Sequence, residues 1–454
     1  MNQNPPNILF VMDDQHRYDY LGCAGADFIR TPNIDCIAER GIRFEHCYTN
    51  APVCAASRVA LATGLQPHRL GGIGNNVYLP LSRTTYYQRL RDVGYRVGCV
   101  GKLDLAKPAG LNSDGARPIC FAWGFTHPHE CEGKMHAGQG QGGPFGPYTK
   151  YLQEKGVLEK FNKDYRKRGQ DGYALANWDS VLDTEDFEDA YIGRYAANWI
   201  DQVRDDYPWH MFVSFVGPHD PFDPPTEYAK RYREAEMPAA TTDDLTAKPR
   251  HIHQRQVGAN AEQVRVCRQQ YCAATELIDD QVGLMFDALE RRGMLDNTYI
   301  IFSSDHGEML GDHGLFTKSV AYDPSMRVPL IVSGPGIEGG QVSDTMVELI
   351  DVNATICDLP GLNPQEGVDA RSFAPVLHGE GEDHRDNILS SLGHFQCVRT
   401  REWKFISNVN DITELYDMQN DPEELQNVAA DRREVAREMS QLMNQRWLEG
   451  QWQR

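Results

Sequence analysis

The chain has 454 residues and a formal net charge of −20, with 41% hydrophobic and 24% charged residues. This length suits one large domain with a smaller appendage, and the composition is typical of a soluble enzyme rather than a disordered chain. Nucleic acids and anionic membranes both require a basic protein surface, so the charge argues against these two classes of partner. A small anionic substrate remains compatible if a metal ion and a few basic side chains make its site locally positive.

The amino terminus, Met1 to Pro6, carries no basic segment, long apolar core or small-residue cleavage site, so we expect no signal peptide. No apolar run elsewhere is long enough to cross a bilayer. The 11 cysteines are odd in number and follow no spacing pattern, which favours reduced thiols over a disulfide scaffold. These features predict a cytoplasmic protein, or a periplasmic one if the sequence lacks its leader.

Short apolar runs alternate with helix-like segments through most of the chain. The run NILFVM at residues 7–12 has the continuous apolar character of a buried parallel strand. Thr31-Pro32 provides an N-cap and a first-turn proline for a helix that Gly41 ends. Further strands are predicted at residues 42–48, 96–100, 211–216, 299–304 and 329–333, and further helices at 84–93 and 266–292. The repeated order of strand and helix predicts an α/β fold with a large, mostly parallel sheet flanked by helices.

One long segment, Lys107 to Asp186, is rich in glycine, proline, histidine and aromatic residues and has little regular periodicity. Long irregular insertions usually carry function or lie over a binding site. We therefore predict that this segment shapes the substrate pocket, with Trp123 and Tyr148 as candidate contacts. His127, His129 and His136 suggest a polar lid. We expect no second metal site there, because no ligand spacing supports one.

The character of the sequence changes again near Arg385. Residues 397–406 (CVRTREWKFI) alternate like one exposed antiparallel strand, and residues 423–447 have the pattern of a terminal amphipathic helix. We therefore predict a catalytic α/β domain over residues 1–384. A smaller C-terminal α+β subdomain, made of an antiparallel sheet and the terminal helix, is predicted over residues 385–454.

Polar clusters follow three of the predicted strands: Asp13-Asp14, Gly217-Pro218-His219 and Asp305-His306. In an open α/β sheet, ligands bind beyond the carboxyl ends of the strands. Adjacent carboxylates repel unless a cation lies between them, so the acids of the first and third clusters, with His306, predict a divalent metal site. The alternative is that Asp13 and Asp14 only cap the next segment, but the third cluster favours the metal.

The segment from Cys54 to Gly64 (CAASRVALATG) resembles the signature of the sulfatase family, which belongs to the alkaline phosphatase superfamily. The match consists of a cysteine, a small residue two positions on, an arginine four positions on and a helix that ends in Thr-Gly. Ala56 stands where the family usually has proline. A maturase oxidises the family's cysteine to formylglycine, and the resemblance implies the same for Cys54, together with a place among the metal ligands. The alternative for an isolated cysteine is a buried structural thiol.

The resemblance also implies how such a site works. Formylglycine is hydrated to a geminal diol, one hydroxyl attacks sulfur with help from the metal, and the second later loses its proton and expels sulfate. Arg58 would hold the diol through a charge-assisted hydrogen bond. One divalent cation is implied, with calcium as the first expectation and manganese or magnesium as alternatives.

Shorter matches to the family imply further catalytic residues. Lys102 and Lys318 correspond to its sulfate-binding lysines, and His219 corresponds to its candidate proton donor to the leaving oxygen. Asp104 stands where the family has histidine, and it is either the replacement base or a group that orients Lys102. His313 is either a substrate contact or a turn residue. Each lysine could instead be solvated, and His219 could satisfy a core hydrogen bond.

Together these features predict a sulfuric ester hydrolase that releases sulfate from a small organic or saccharide sulfate ester. The alternative is a phosphodiesterase or phosphonate monoester hydrolase of the same superfamily. A histidine at position 306 makes the site softer than an all-oxygen shell, so manganese becomes plausible. A third reading, an inert binding protein, rests on Asp104 alone, and the retained ligands and lysines argue against it.

Overall fold

The protein contains an 8-stranded sheet and, near its C-terminus, a separate 4-stranded sheet. The computed structural model describes residues 5–71, 74–107, 111, 115–138, 143–381 and 383–449. The strands of the large sheet are β1 (Asn7–Asp14), β2 (Gly41–Tyr48), β3 (Arg96–Gly101), β4 (His127–Glu130), β5 (Trp209–Pro218), β6 (Thr298–Ser304), β7 (Leu330–Ser333) and β8 (Gln341–Glu348). The strands of the small sheet are β9 (Ile388–Leu392), β10 (Phe395–Arg399), β11 (Trp403–Asn408) and β12 (Glu414–Asp417).

The helices differ widely in length, and the longest is α11. They are α1 (Pro32–Glu39), α2 (Cys54–Thr63), α3 (Tyr86–Asp92), α4 (Pro118–Ala122), α5 (Lys134–Gly138), α6 (Pro147–Glu154), α7 (Leu158–Asp171), α8 (Glu188–Gln202), α9 (Thr226–Tyr232), α10 (Arg250–Gln254), α11 (Ala261–Arg291), α12 (Asp323–Met326), α13 (Asp351–Asp358), α14 (Ala374–Leu377) and α15 (Arg433–Glu449). Within the described ranges, no helix combines the length and the apolar character that a membrane span requires.

The large sheet has the strand order β4-β3-β5-β1-β6-β7-β2-β8. Its centre is β1, which runs parallel to β5 on one side and to β6 on the other, so that Val11 lies opposite both Val213 and Phe302. Of the described strands of this sheet, β7 alone runs antiparallel to both of its neighbours, β6 and β2. The predicted α/β fold with a mostly parallel sheet is therefore confirmed, with β7 as the exception.

Helices cover both faces of the large sheet, and β1 illustrates the consequence for sequence. Phe10 packs in a core cluster with residues of α2, α3 and α13, whereas Leu9 and Val11 pack on the opposite face with residues of α1, α8 and α11. Successive side chains of a strand point to opposite faces. A strand covered on both faces therefore needs an apolar residue at every position, which explains the continuous run of residues 7–12.

The first turn of α1 is capped from another helix and not by its own N-cap residue. The Thr31 hydroxyl makes no capping bond to α1 and donates instead to the Asp35 carboxylate, at 3.1 Å. Asp279 of α11 takes over this role, because Oδ1 accepts from the Ile34 N–H (2.7 Å) and Oδ2 from the Asn33 N–H (3.2 Å). The capping role of Asp279 therefore could not be predicted from the local sequence of α1.

We expect the substitution Asp279→Ala to lower the free energy of unfolding by about 1–2 kcal/mol, because it leaves the first N–H groups of α1 without acceptors. Urea unfolding followed by circular dichroism measures this change. Asp287→Ala, on an exposed position of the same helix, is the control and should stay within about 0.5 kcal/mol of the parent. Equal effects of the two substitutions would contradict the capping role.

The segment from Lys107 to Asp186 is more regular than predicted. It contains α4 to α7, and β4 extends the edge of the large sheet by pairing with β3. The proposed contacts Trp123 and Tyr148 are both buried at 1% exposure, and the Tyr148 hydroxyl donates to the Asp186 carbonyl oxygen at 2.9 Å. The prediction that these two aromatic residues face substrate was therefore wrong, because they serve the core. Residues 108–110, 112–114 and 139–142 of this segment lie outside the described part of the chain, as do residues 1–4.

The C-terminal antiparallel sheet and terminal helix are present, but two details were wrong. Residues 397–406 form two strands, β10 and β11, joined by a turn in which the Thr400 N–H donates to the Trp403 carbonyl oxygen, and not one exposed strand. The side chains of Cys397 and Ile406 are buried between this sheet and the rest of the protein. The terminal helix α15 begins at Arg433, later than predicted. The boundary at residue 385 stays a prediction.

Buried polar contacts fasten the small sheet to the rest of the protein. Lys404 of β11 contacts Asp323 and lies 2.7 Å from Glu424. At the end of β8, Glu348 accepts the Leu389 N–H of β9 at 2.8 Å. The two sheets therefore share polar contacts that are withdrawn from water. All 11 cysteines are free thiols.

Candidate active site

Polar side chains converge where β1 and β6 end, at the carboxyl edge of the large sheet. Asp14 is the last residue of β1, Asp305 and His306 follow β6, and Cys54 is the first residue of α2. One ligand atom from each of these four residues lies within 4.8 Å of all the others, and all four residues are buried. The fold thus brings together the cysteine and three of the predicted metal ligands, which are distant in sequence.

His306 is oriented as a metal-binding histidine would be. Its Nδ1 lies 3.0 Å from the Gly307 carbonyl oxygen, which can only accept a hydrogen bond. Nδ1 therefore carries the proton and Nε2 presents a lone pair to the cluster. Nε2 lies 3.2 Å from Cys54 Sγ, 3.7 Å from Asp14 Oδ1 and 3.6 Å from Asp305 Oδ1. The backbone contact at Gly307 thus fixes the tautomer that a cation requires.

Asp13 is held differently from the other predicted ligands. Its Oδ2 lies 2.6 Å from His16 Nδ1, and His16 Nε2 lies 3.1 Å from the Tyr20 carbonyl oxygen. Asp13 Oδ1 is buried and has no hydrogen-bond partner among the described residues. Burial raises the pKa of Asp13, and the carboxylates of Asp305 and Asp14 add to the rise, which His16 offsets only in part. A buried carboxylate oxygen without a hydrogen-bond partner is available to a divalent cation, but the cluster of close ligand atoms consists of Asp14, Cys54, Asp305 and His306 and does not include Asp13.

Arg58 lies one helical turn after Cys54 and ties the edge of the sheet together. Its Nε donates to Asp305 Oδ2 at 2.7 Å, and its Nη1 donates to the Ser214 hydroxyl at 2.6 Å and to the Lys102 carbonyl oxygen at 2.7 Å. Nη2 is buried without a hydrogen-bond partner in the described structure. The guanidinium is therefore positioned by three hydrogen bonds and keeps one nitrogen available at the site.

Two lysines and a histidine surround the cysteine. Lys102, which follows β3, contacts the Asp14 carboxylate, and Lys318 contacts His219 Nε2. Burial raises the pKa of the Cys54 thiol, but Lys102, Lys318 and His306 outweigh it and hold the pKa well below its usual range. The site therefore favours negative charge at position 54.

These residues open onto one cavity of about 320 Å³. Its described lining is polar and comes mainly from the loops after the strands of the large sheet. The lining residues are Cys54, Asn75, Lys102, Lys107, Gly133, Lys134, Met135, His136, His219, Asp220, Thr317 and Lys318.

Asp104 lies behind the cavity wall between two lysines. Its Oδ2 is 3.2 Å from Lys102 Nζ and 2.5 Å from Lys107 Nζ. Burial raises the pKa of Asp104, but Lys102 and Lys107 outweigh it and hold the pKa far below its ordinary value. A carboxylate held ionised in this way is a weak proton acceptor. The geometry favours the orienting role over the replacement base.

His313 does not reach the cavity around Cys54. Its Nδ1 lies 2.8 Å from Asp243 Oδ2, and its ring stacks on Tyr322 with centroids 4.8 Å apart. Its backbone adopts a left-handed conformation, with φ at 53°, inside a tight turn. The geometry therefore favours the role of a turn residue over that of a substrate contact in the cavity around Cys54.

Sequence reasoning missed one buried residue behind the cavity and several residues that line it. Gln15 follows Asp13-Asp14 directly and bridges Lys318, Asp220 and Glu308, so its position at the strand end was an available signal. Lys107, Lys134 and His136 also line the cavity. They belong to the segment without periodicity, where no sequence pattern indicates which side chain faces inward.

Comparisons with known proteins agree with the geometry. The model of the sulfatase family matches residues 6–362, and a model described as N-sulphoglucosamine sulphohydrolase, C-terminal, matches residues 311–449. A choline-sulfatase of Rhizobium meliloti is 28% identical over 95% of this chain and 84% of its own length. An N-acetylglucosamine-6-O-sulfatase of Bacteroides thetaiotaomicron is 26% identical over 96% of this chain and 85% of its own length.

Among solved structures, the phosphonate monoester hydrolase of Agrobacterium radiobacter superposes with a TM-score of 0.83 and 23% identity. The alignment covers 98% of this chain and 96% of that one, so the two share one fold. The family model, by contrast, covers most of the chain, including Cys54 and every predicted metal ligand. The chain therefore belongs to the sulfatase family of sulfuric ester hydrolases.

Proposed function

We propose that this enzyme releases sulfate from a small sulfate ester with a formylglycine nucleophile made from Cys54. The observation that supports this most strongly is the position of Cys54. One ligand atom from each of Asp14, Asp305 and His306 lies within 4.8 Å of its Sγ, and Lys102 and Lys318 line the same cavity. The proposal also requires a partner, a maturase that acts on Cys54 of this chain.

Asp14, Asp305 and His306, with Asp13, would hold one divalent cation that lowers the pKa of the nucleophile's hydroxyl and polarises the sulfate group. Calcium is our first expectation because most of these ligands are carboxylates, and the imidazole leaves manganese or magnesium as alternatives. This cation would also neutralise the acids that now crowd together at the strand ends.

The remaining side chains have distinct tasks in the proposed reaction. Lys102 and Lys318 would bind the sulfate oxygens as point charges. Arg58 would donate from its unpartnered Nη2 to the nucleophile at position 54. His219 would deliver a proton to the departing alcohol oxygen from Nε2, which must first take up that proton because it faces the Lys318 ammonium in this structure, while Nδ1 is occupied by the Asp220 carbonyl oxygen at 2.6 Å.

A phosphodiesterase or phosphonate monoester hydrolase is the second candidate function. It is favoured by the nitrogen ligand His306, which suits manganese, and by the fold shared with the bacterial phosphonate hydrolase. Turnover of a sulfate monoester, a phosphonate monoester and a phosphodiester by one preparation separates the candidates. A higher kcat/KM for the sulfate ester supports our proposal, and a higher value for either phosphorus ester supports the second candidate.

Maturation is tested directly by the mass of the peptide that contains residue 54. In the active enzyme, this peptide should be lighter than the unmodified cysteine peptide by the mass lost when the thiol side chain becomes an aldehyde. Cys99, which is buried in β3, provides a matched peptide that should keep its unmodified mass. An active preparation in which residue 54 is entirely cysteine would refute the formylglycine proposal.

Removal of the metal should abolish most of the activity. We expect dialysis against a chelator to lower turnover by at least about 100-fold, because a catalytic cation contributes several kcal/mol. Adding back calcium, manganese or magnesium separately, with elemental analysis of each sample, identifies the ion that restores turnover. Full activity in a sample free of metal would contradict the proposed site.

A further inference from the structure

The cavity around Cys54 carries more positive charge than one sulfate group requires. The chain as a whole has a net charge of −20, yet the described lining contains four lysines and one carboxylate, that of Asp220. Lys102 and Lys318 lie beside Cys54 and account for the scissile sulfate in the function proposed above. Two further lysines, Lys107 and Lys134, remain to be explained.

Lys134 is fully used by the protein. Its Nζ donates to the carbonyl oxygens of His219 (3.0 Å) and Pro221 (2.8 Å) and lies 2.7 Å from Asp223 Oδ1. An ammonium has three N–H bonds, so no donor is left for a ligand. Lys134 therefore holds the loop that carries His219 and does not bind substrate.

Lys107 is placed differently. Its ion-pair partner within the described structure is Asp104, at 2.5 Å, which takes one of the three N–H bonds and leaves two for a ligand in the cavity. Asp104 is also 3.2 Å from Lys102 Nζ, so a single buried carboxylate fixes Lys107 relative to a lysine beside Cys54. Lys107 is therefore a positioned cation next to the reacting centre.

The rest of the lining disfavours two other kinds of sulfate ester, those that carry a quaternary ammonium group and those that carry an aryl group. No described lining residue is aromatic, and none of the internal residues outside the described part is aromatic in sequence. Quaternary ammonium groups are recognised by aromatic faces, and lysines repel them. The large apolar side chain of the lining is that of Met135, which offers little wall for an aryl group. His136 is exposed and makes no hydrogen bond to a described residue, so its ring can bond to a sugar hydroxyl.

We propose that the substrate is a saccharide sulfate with a second anionic group beside the scissile ester, and that Lys107, positioned by Asp104, binds this second group. The second group is a carboxylate or another sulfate, because both accept hydrogen bonds from an ammonium. This inference rests on the proposed function and names the class of substrate for the same site.

Binding to the Cys54→Ala variant tests the inference without turnover. Calorimetry would compare N-acetylglucosamine 6-sulfate, glucosamine N,6-disulfate, a uronate-containing sulfated disaccharide and choline sulfate. We expect at least one of the two doubly anionic sugars to bind about tenfold more tightly than the singly sulfated one, the size of one charged hydrogen bond. Choline sulfate should bind most weakly. The two doubly anionic sugars distinguish a second sulfate from a carboxylate.

Substitutions at Lys107 assign the preference to its charge. Lys107→Gln in the same background should remove the roughly tenfold preference, so that the doubly anionic sugars bind about as tightly as the singly sulfated one. Lys107→Arg should keep the preference, and Lys160→Gln, on an exposed position of α7, should leave all affinities unchanged. Equal affinity for singly and doubly anionic sugars would overturn the inference, as would a preference that survives Lys107→Gln or is lost in Lys107→Arg. Failure of the proposed function is a separate result, namely sulfate release that persists in Cys54→Ala.

Discussion

Replacement of Cys54 by alanine should abolish sulfate release. Removal of a covalent nucleophile typically lowers kcat by a factor on the order of 10⁶, and here it also removes one member of the metal-ligand cluster. The cavity, Lys102 and Lys318 remain, so substrate should still bind. We therefore expect loss of kcat with little loss of affinity, measured by sulfate release and by calorimetry on the same samples.

The matched control for this substitution is Cys397→Ala. Cys397 is fully buried in β10 and lies in the packing between the two sheets, away from the cavity. Both substitutions remove one buried sulfur and should change the free energy of unfolding by about 1 kcal/mol, but only Cys54→Ala should affect turnover. If Cys54→Ala keeps wild-type turnover, the nucleophile lies elsewhere and the central proposal fails.

The metal cluster was the part of the site that sequence reasoning predicted best. Asp14 and Asp305 each end an apolar run that is buried on both faces, and parallel strands bring their carboxyl ends to one edge of the sheet. The proximity of Asp14 and Asp305 therefore follows from the strand order alone. The contact of Asp13 with His16 could not be predicted in this way, because it depends on the path of the chain after β1.

The residues that shape the cavity were predicted poorly for a physical reason. Trp123 and Tyr148 were chosen because aromatic side chains often bind sugars, but large aromatic side chains also release the most free energy when they fill a core. In this protein both are buried. Lys107 and His136 carried no comparable signal, because only tertiary structure determines which polar side chain of an irregular segment faces a cavity.

Two fold details failed because their local signals were weak. The hairpin between β10 and β11 turns through residues 400–402, which include no glycine, asparagine or proline to mark a turn. The start of α11 was placed too late, at residue 266 and not at Ala261, because the first turn of the helix contains no large apolar residue. The capping box formed by Asn260 and Gln263 was the better guide, since it satisfies the first N–H groups of the helix directly.

The buried lysine of the small sheet provides the largest expected effect on stability. Lys404 has 0% exposed surface, contacts Asp323, and lies 2.7 Å from Glu424 and 3.2 Å from the Ala321 carbonyl oxygen. Burial raises the pKa of Asp323, but Lys404, Arg399 and Arg327 outweigh it and hold the carboxyl ionised. Lys404→Met should lower the free energy of unfolding by about 3–5 kcal/mol, because it leaves buried carboxylates without their main cation.

The pH dependence and a compensating variant separate lost charge pairing from lost packing. In Lys404→Met, the pKa values of Asp323 and Glu424 should rise in the folded state, so both take up protons on acidification. The destabilisation should therefore be largest at neutral pH and smaller near pH 4, about the ordinary pKa of a carboxyl.

Adding Asp323→Asn and Glu424→Gln should recover part of the loss at neutral pH, since amides need no buried cation. Arg437→Met, on an exposed position of α15, is the control and should change stability by less than about 0.5 kcal/mol. A loss in Lys404→Met that is small or independent of pH would mean that these ion pairs do not fasten β11 to α12.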